Sequence, residues 1–323
     1  MKDTRYAFSV SNVRVHESSL FGPTEMELLL AAPDCEAALS ILSEHGWDTS
    51  AGCRGMNQIL RVELLRAWIF LMEIAPDISL LQPLILRKDY HNLKAGIKSI
   101  QSGLAVDTYF LQPSTLPAEL LVEAITRRQF SLLPEPFASI GEEAYDVLVR
   151  TSDGQFVDIM VDQVALTDIL EKAKATGNVL ITDLSELFCA AANIKIAVRC
   201  ARTEKTEEFL RRALSSCDTL DKNMMVSAAA RGMEPLLSYL ASTQYAPGTA
   251  LIPESPSSFE KWCDDEGVAR LERCKFIYFG PEPLISYYYA KEAEIKNIRI
   301  LLAAKESQLP PDEIRKRLRR LYV

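Results

Sequence analysis

Along most of the chain apolar residues return every three or four positions, the spacing that lines one face of a helix. Residues 25–42 follow this rhythm and are broken only by Pro33-Asp34, a helix stop and restart. Residues 60–74 predict a buried helix. Leu116-Pro117-Ala118-Glu119 predicts a helix start, with proline in the first turn and an acid at the positive end of the dipole. Ile295, Ile298 and Leu302 fall at i, i+3 and i+7, and Ile314, Leu318 and Leu321 predict a similar stripe on a terminal helix. Two stretches break the rhythm. Val147-Leu148-Val149 and Phe156-Val157-Asp158-Ile159-Met160 flank Ser152-Asp153-Gly154, so residues 145–164 read as a β-hairpin. Residues 246–259, with Pro247, Gly248, Pro253 and Pro256, read as a loop. Only 13 glycines in 323 residues weight the balance further toward helix. The expected class is all-α, with that hairpin as the exception.

An internal repeat organises the pattern. The tripeptide Asn, aliphatic, basic occurs at Asn92-Leu93-Lys94, Asn193-Ile194-Lys195 and Asn297-Ile298-Arg299, spaced by 101 and 104 residues. Asn12-Val13-Arg14 also fits but falls outside the period. Thr206-Glu207-Glu208 stands as far beyond Asn193 as Pro310-Pro311-Asp312 does beyond Asn297, and both open a predicted helix. In the first copy the comparable opening, Leu116 to Glu119, arrives several residues later. Three related helical domains of about one hundred residues are therefore expected, a size that folds independently. Their bounds are set at 1–130, 131–222 and 223–323, with approximate threefold pseudo-symmetry. On a helix, asparagine competes for backbone groups. The favoured role for the repeated Asn is structural: its amide ties a neighbouring segment, and the base pairs with a nearby acid. The alternative is that three copies line a shared surface for a partner.

Net charge is −8, which argues against nucleic-acid binding. Residues 310–323 oppose this balance, with Arg315, Lys316, Arg317, Arg319 and Arg320 against Asp312 and Glu313. They read first as a solvated face suited to the helix dipole and second as a contact for an acidic partner. Seven cysteines without a CxxC pair read as free buried thiols of a reducing compartment. The opening Met1 to Arg5 leads into no long apolar run, so no signal peptide is expected. The most apolar stretch, residues 64–85, is cut by Arg66, Glu73, Pro76 and Asp77, so no membrane span is expected.

Candidate chemistry is sparse. His16, His45 and His91 form no zinc spacing, and His45 near Cys53 lacks a third group for a nucleophilic site. No GxxxxGK[ST] or GxGxxG sequence is present. Glu142-Glu143, Glu207-Glu208 and Asp264-Asp265 read as helix-start or exposed acids. No catalytic, cofactor-binding or metal-binding residue is named, and no cofactor or small-molecule substrate is expected. Of the consecutive Tyr287, Tyr288 and Tyr289, at least one should be packed and another partly exposed, in the core or, as a second reading, against a partner.

The stretch Tyr287 to Arg299 resembles the C-terminal signature of the C-subunit family of V-type ATP synthases and ATPases, whose eukaryotic form is known as the d subunit. Residues 311–323, Asp89-Tyr90-His91-Asn92-Leu93-Lys94, and the opening Tyr6-Ala7-Phe8 through Glu17 resemble further segments of that family. In the second repeat Ala190 stands where the first has Asp89, and residues 131–180 match only loosely. The resemblance implies an all-α, three-domain funnel on the central stalk, a rotor part without an active site. Its implied partners are the central-shaft subunits of the ATP-hydrolysing head and the membrane rotor ring. Its implied place is cytoplasmic, peripheral at the membrane through the complex. The competing readings are a helical adaptor for a soluble partner and an enzyme with an unrecognised helical site.

Overall fold

Residues 4–323 are described by a computed structural model; Met1–Asp3, within the opening judged to lack a signal peptide, lie outside the described residues. Among the described residues every regular element is helical, in the order α1 Ala7–Glu17, α2 Pro23–Ala31, α3 Cys35–Glu44, α4 Met56–Ile74, α5 Gln82–Ser102, α6 Ala118–Arg127, α7 Phe137–Thr151, α8 Gly154–Ala175, α9 Val179–Arg202, α10 Glu207–Ala213, α11 Lys222–Ala230, α12 Met233–Leu240, α13 Ala246–Thr249, α14 Pro256–Ala269, α15 Glu282–Glu306 and α16 Pro311–Arg317. The chain divides into two compact units, residues 1–79 with 260–323, and residues 80–259.

In the first unit α15 is the axis. Helices α1 and α4 pack on it, and α3 and α16 meet it as well. Ile295, Ile298, Leu301 and Leu302 of α15 share a core with Leu29 and Leu30 of α2, Leu39 and Leu42 of α3, and Ile314 of α16. The Pro33-Asp34 restart is realised: Asp34 accepts a hydrogen bond from Ala37 N at 2.8 Å and caps α3. Tyr287 and Tyr288 are buried and Tyr289 is half-buried, as three successive helical positions require.

In the second unit α8 packs on α5, α7 and α9, while α11 packs on α9, α10 and α12. One core gathers Leu93 and Ile97 of α5, Leu121 and Ile125 of α6, Ala144 and Leu148 of α7, and Val157 and Val161 of α8.

The expected hairpin is absent; residues 145–164 lie in α7 and α8. Ser152 takes the left-handed conformation that ends α7, at φ 55°. Asp153 then accepts from Gln155 N at 3.0 Å and Phe156 N at 2.9 Å, which starts α8. Within the Val-Leu-Val run only Leu148 is buried, whereas Val157, Val161 and Ala165 are buried at intervals of four. The expected loop at 246–259 contains the short α13, and Pro256 opens α14, a first-turn position where a missing N–H costs nothing.

The terminal helix stops at Arg317, and Leu318 is extended at φ −67°, ψ 143°. Leu318 and Leu321 still pack against the core of the first unit, but from an extended tail. Cys35 and Cys53 form a disulfide, which corrects the reading of seven free thiols; Cys189, Cys200, Cys217, Cys263 and Cys274 remain thiols.

Candidate functional site: three asparagine clamps

Each repeated asparagine sits fully inside its helix packing, on α5, α9 and α15. Each turns its amide onto both backbone groups of one residue in an extended segment downstream. Asn92 Nδ2 donates to Leu111 O at 3.0 Å, and Leu111 N donates to Asn92 Oδ1 at 2.6 Å. Asn193 holds Ser215 through Nδ2 to the carbonyl at 2.9 Å and the amide to Oδ1 at 3.0 Å. Asn297 holds Arg319 in the same way at 3.1 and 2.7 Å. A carboxamide is the side chain that offers one donor and one acceptor side by side, matching a peptide's carbonyl and N–H. The structural role expected of the asparagine is therefore observed at three positions. It also explains why α16 stops: both backbone groups of Arg319 are engaged by Asn297 rather than by a continuing helix.

The clamps correct the repeat's register. Ser215 lies 22 residues beyond its asparagine and Arg319 also 22, but Leu111 lies 19 beyond. Copies two and three place a short helix, α10 or α16, before the clamped residue; the first copy has only turns there. Helix α6 therefore follows its clamp and corresponds to α11, not to α10 and α16 as the helix-start comparison suggested. Both α6 and α11 begin seven residues after the clamped position.

A carboxylate supports each of the first two clamps. Asp89, one turn before Asn92, accepts from Thr115 N at 2.8 Å, Thr115 Oγ1 at 2.7 Å, Leu116 N at 3.2 Å and Ser114 Oγ at 2.5 Å. Burial outweighs these bonds and raises its carboxyl pKa above the ordinary value. In the second copy, where Ala190 replaces the acid, Glu186 from the preceding turn serves instead. Its Oε1 accepts from Thr219 N at 2.8 Å and Thr219 Oγ1 at 2.7 Å. Thr115 and Thr219 each lie four residues past the clamped residue, so the acid moves by one turn while its target keeps its place. Glu186 Oε2 is buried with no hydrogen-bond partner.

The third copy uses its acid differently. Glu294 accepts from Phe21 N at 2.6 Å and from Lys291 Nζ at 2.6 Å. Lys291 also reaches Glu63 at 3.2 Å and lies 5.0 Å over the Trp47 ring. Burial raises the Glu294 pKa, with Lys291 opposing it. Of the repeated bases, Lys94 pairs with Asp162 at 2.5 Å, whereas Arg299 is exposed.

The remaining candidates fall into structural positions. His16 stacks on Phe70 at 3.7 Å, His45 tilts against Phe21 at 4.8 Å, and His91 Nε2 lies 3.2 Å from Tyr109 O. Cys53 is bound in the disulfide, which leaves no thiol there for His45 to activate. Burial pushes the Cys217 thiol up to about 11, away from the thiolate a nucleophile needs. Four of the terminal bases are matched by acids: Arg315 with Glu27 at 2.6 Å, Lys316 with Glu313 at 2.6 Å, Arg319 with Asp264 at 2.9 Å and Arg320 with Glu272 at 3.1 Å. That face is mixed in sign. Among the described residues no three His, Cys, Asp or Glu side chains converge on a possible metal position. No helix among them is long and apolar enough to cross a membrane.

The ATP synthase (C/AC39) subunit family model matches residues 9–317. The chain belongs to this family. It is similar to the C subunit of the V-type sodium ATPase of Enterococcus hirae, 23% identical over 81% of each chain. It is likewise 23% identical to the C subunit of the A-type ATP synthase of Methanocaldococcus jannaschii, over 96% of this chain and 85% of that one. The corresponding A-type ATP synthase protein of Halorubrum lacusprofundi is 34% identical over 28% of each chain. The family expectation drawn from Asp89–Lys94 and Tyr287–Arg299 thus holds across almost the whole chain, and two of its three asparagine clamps sit in those stretches.

Proposed function

We propose that this chain is the non-catalytic central-stalk subunit of a rotary V-type ATPase or ATP synthase. In this reading it couples the central shaft of the ATP-hydrolysing head to the membrane rotor ring. Membership of the C/AC39 family across residues 9–317 carries the proposal. The clamps support it in physical terms. A torque coupler needs a body whose segments cannot slip, and directional hydrogen bonds inside a packed core oppose slippage better than apolar contacts alone. The buried titratable groups of the clamps are engaged in holding backbone, which suits a mechanical part.

The proposed organisation is three repeats over 1–130, 131–222 and 223–323, each built on one clamp and set around an approximate threefold axis as a funnel. Attachment at the cytoplasmic membrane face would then run through the partner subunits. The test is native mass spectrometry of the purified protein with detergent-solubilised rotor ring and central-shaft subunits from the same source. One copy bridging both is expected. Binding to neither, at low salt where a control complex survives, overturns the proposal. Deleting residues 310–323 is unsuitable as a contact test because it removes the backbone that Asn297 clamps; charge reversal at Arg317, exposed on α16, keeps the clamp intact.

A further inference from the structure

We infer that Cys35 and Cys53 form a reversible thiol–disulfide switch that fastens or frees the segment leading from α3 into α4. The bond joins the first residue of α3 to the turn that precedes α4, closing a separation of 18 residues. What lies between is weakly held beyond α3 itself. Residues 45–55 contain no α-helix, and Trp47 is their one buried side chain. That ring sits edge-on to Phe21 at 6.0 Å and beneath Lys291. Further attachments are Trp47 N to Leu42 O at 3.1 Å, the His45 ring against Phe21, Ala51 and Cys53 packed at the edge of the first unit's core, and Arg66 Nη1 to Gly46 O at 3.0 Å at the surface. The crosslink adds the covalent tie at the far end of this segment.

The bond is also reachable. Both cysteines line a cleft of about 710 Å³ that runs between the α2–α3 turn and the end of α15. Cys35 is buried and Cys53 is half-buried, the more accessible of the two. An incoming thiolate meets Cys53 Sγ first, and Cys35 departs. Across the cleft Lys305 Nζ donates to Leu30 O at 3.1 Å and to Ala32 O, so the α2–α3 turn stays anchored when the bond opens. Reduction consequently loosens the 45–55 side and leaves the α15 side in place.

The exchange needs a dithiol reductant, a protein of the Cys-X-X-Cys type or a small-molecule dithiol. Its first thiolate attacks Cys53 Sγ, giving a mixed disulfide and releasing Cys35 as thiolate. Its second thiol then displaces Cys53, and the reductant leaves as a disulfide. Two electrons pass from the dithiol, and two protons end on Cys35 and Cys53.

The full-length protein is alkylated with iodoacetamide without denaturant, before and after treatment with dithiothreitol, and mapped by mass spectrometry alongside hydrogen exchange. Air-oxidised protein should yield a Cys35–Cys53 crosslinked peptide. After reduction Cys53 should alkylate before Cys35, and amide exchange in 45–55 should accelerate about tenfold or more while 30–33 is unchanged. Cys53→Ser should show the fast exchange with or without reductant, and Cys35→Ser should agree with it. Alkylation of both cysteines in the air-oxidised folded protein overturns the inference. Equal exchange in the two redox states overturns it too, as does a bond that dithiothreitol cannot open in the folded protein.

Discussion

Replacing each clamp asparagine by alanine removes the same pair of backbone hydrogen bonds from three different surroundings, and at Asn193 also a bond to Cys217 Sγ at 3.7 Å, so the structure orders the outcomes. The asparagines are equally buried, so the packing lost with the side chain is common to all three. The main difference lies in the backbone left behind, and the Cys217 bond adds to it in the same direction at Asn193. Ser215 is 1% exposed, so Asn193→Ala strands a buried N–H and a buried carbonyl. At about 1–3 kcal/mol for each orphaned group, the loss should be about 3–5 kcal/mol. Leu111 is 40% exposed, and water can take over both groups; Asn92→Ala should cost about 1–2 kcal/mol. Arg319 is half-buried and Asn297→Ala should fall between. Urea denaturation of the three variants gives the ranking, and hydrogen exchange at residues 111, 215 and 319 shows whether the freed amide is the cause. Asn193→Asp keeps an acceptor for Ser215 N but turns a carboxylate oxygen toward Ser215 O, so it should fail nearly as badly as alanine. Equal losses at the three sites, or a larger loss at Asn92 than at Asn193, would refute the reasoning.

Three further outcomes follow from particular contacts. An added methyl at Gly267 would lie 2.1 Å from the Tyr289 hydroxyl and 2.7 Å from the ring carbon that bears it, so Gly267→Ala should cost about 1–3 kcal/mol by calorimetry, and Tyr289→Leu in that background should recover part of it. The raised pKa of Glu294 means the folded protein binds that proton more tightly than the unfolded chain does. Its contribution to stability is full at low pH and is lost as pH rises from the ordinary 4.5 through the folded value. Stability of the wild type minus that of Glu294→Gln should then shrink as pH rises across this window, and a difference that grows in a urea-denaturation pH series would refute the sign. In the oxidised protein Cys53→Ser should lower stability by about 3 kcal/mol, the size expected from closing a loop of this length, whereas in dithiothreitol it should differ from wild type by about 0.5 kcal/mol or less; equal effects in both buffers would refute it.

Much of the clamp was legible because it depends on a residue type with little other reason to lie inside a helix. An asparagine recurring among apolar neighbours is costly unless its amide is used, and its use was readable before its partner was. The partner was hidden because each clamped residue contributes only backbone: Leu111, Ser215 and Arg319 share no side-chain property. In the first two copies the fixed element on that side was threonine, four residues later, and comparison of Thr115 with Thr219 would have exposed the three-residue shortening of the first connection. Ala190 stood as a departure of the second copy from Asp89, because a helix can present an acid to the same face one turn earlier. Glu186 meets that requirement. The hairpin reading failed for a related reason. A short β-branched run beside Ser-Asp-Gly fits strand and helix equally, and only the burial of Val157, Val161 and Ala165 decides the period. The disulfide was out of reach because its cysteines are brought together by the path of residues 45–52, which carry no regular pattern.

The clamps also say why the fold tolerates such drift elsewhere. A helix packed through apolar ridges can shift its register at modest cost, since neighbouring grooves are nearly equivalent. An amide that must meet one N–H and one carbonyl of a single residue has no equivalent neighbour, because the next residue of an extended strand presents those groups to the other side. One asparagine thus fixes both the depth and the register of the returning segment, and the packing around it is free to vary in detail. This accounts for a chain that keeps three clamps at closely similar offsets while its supporting acid moves by a turn, its short helix is dropped from one copy, and its identity to relatives matched over most of its length is only 23%.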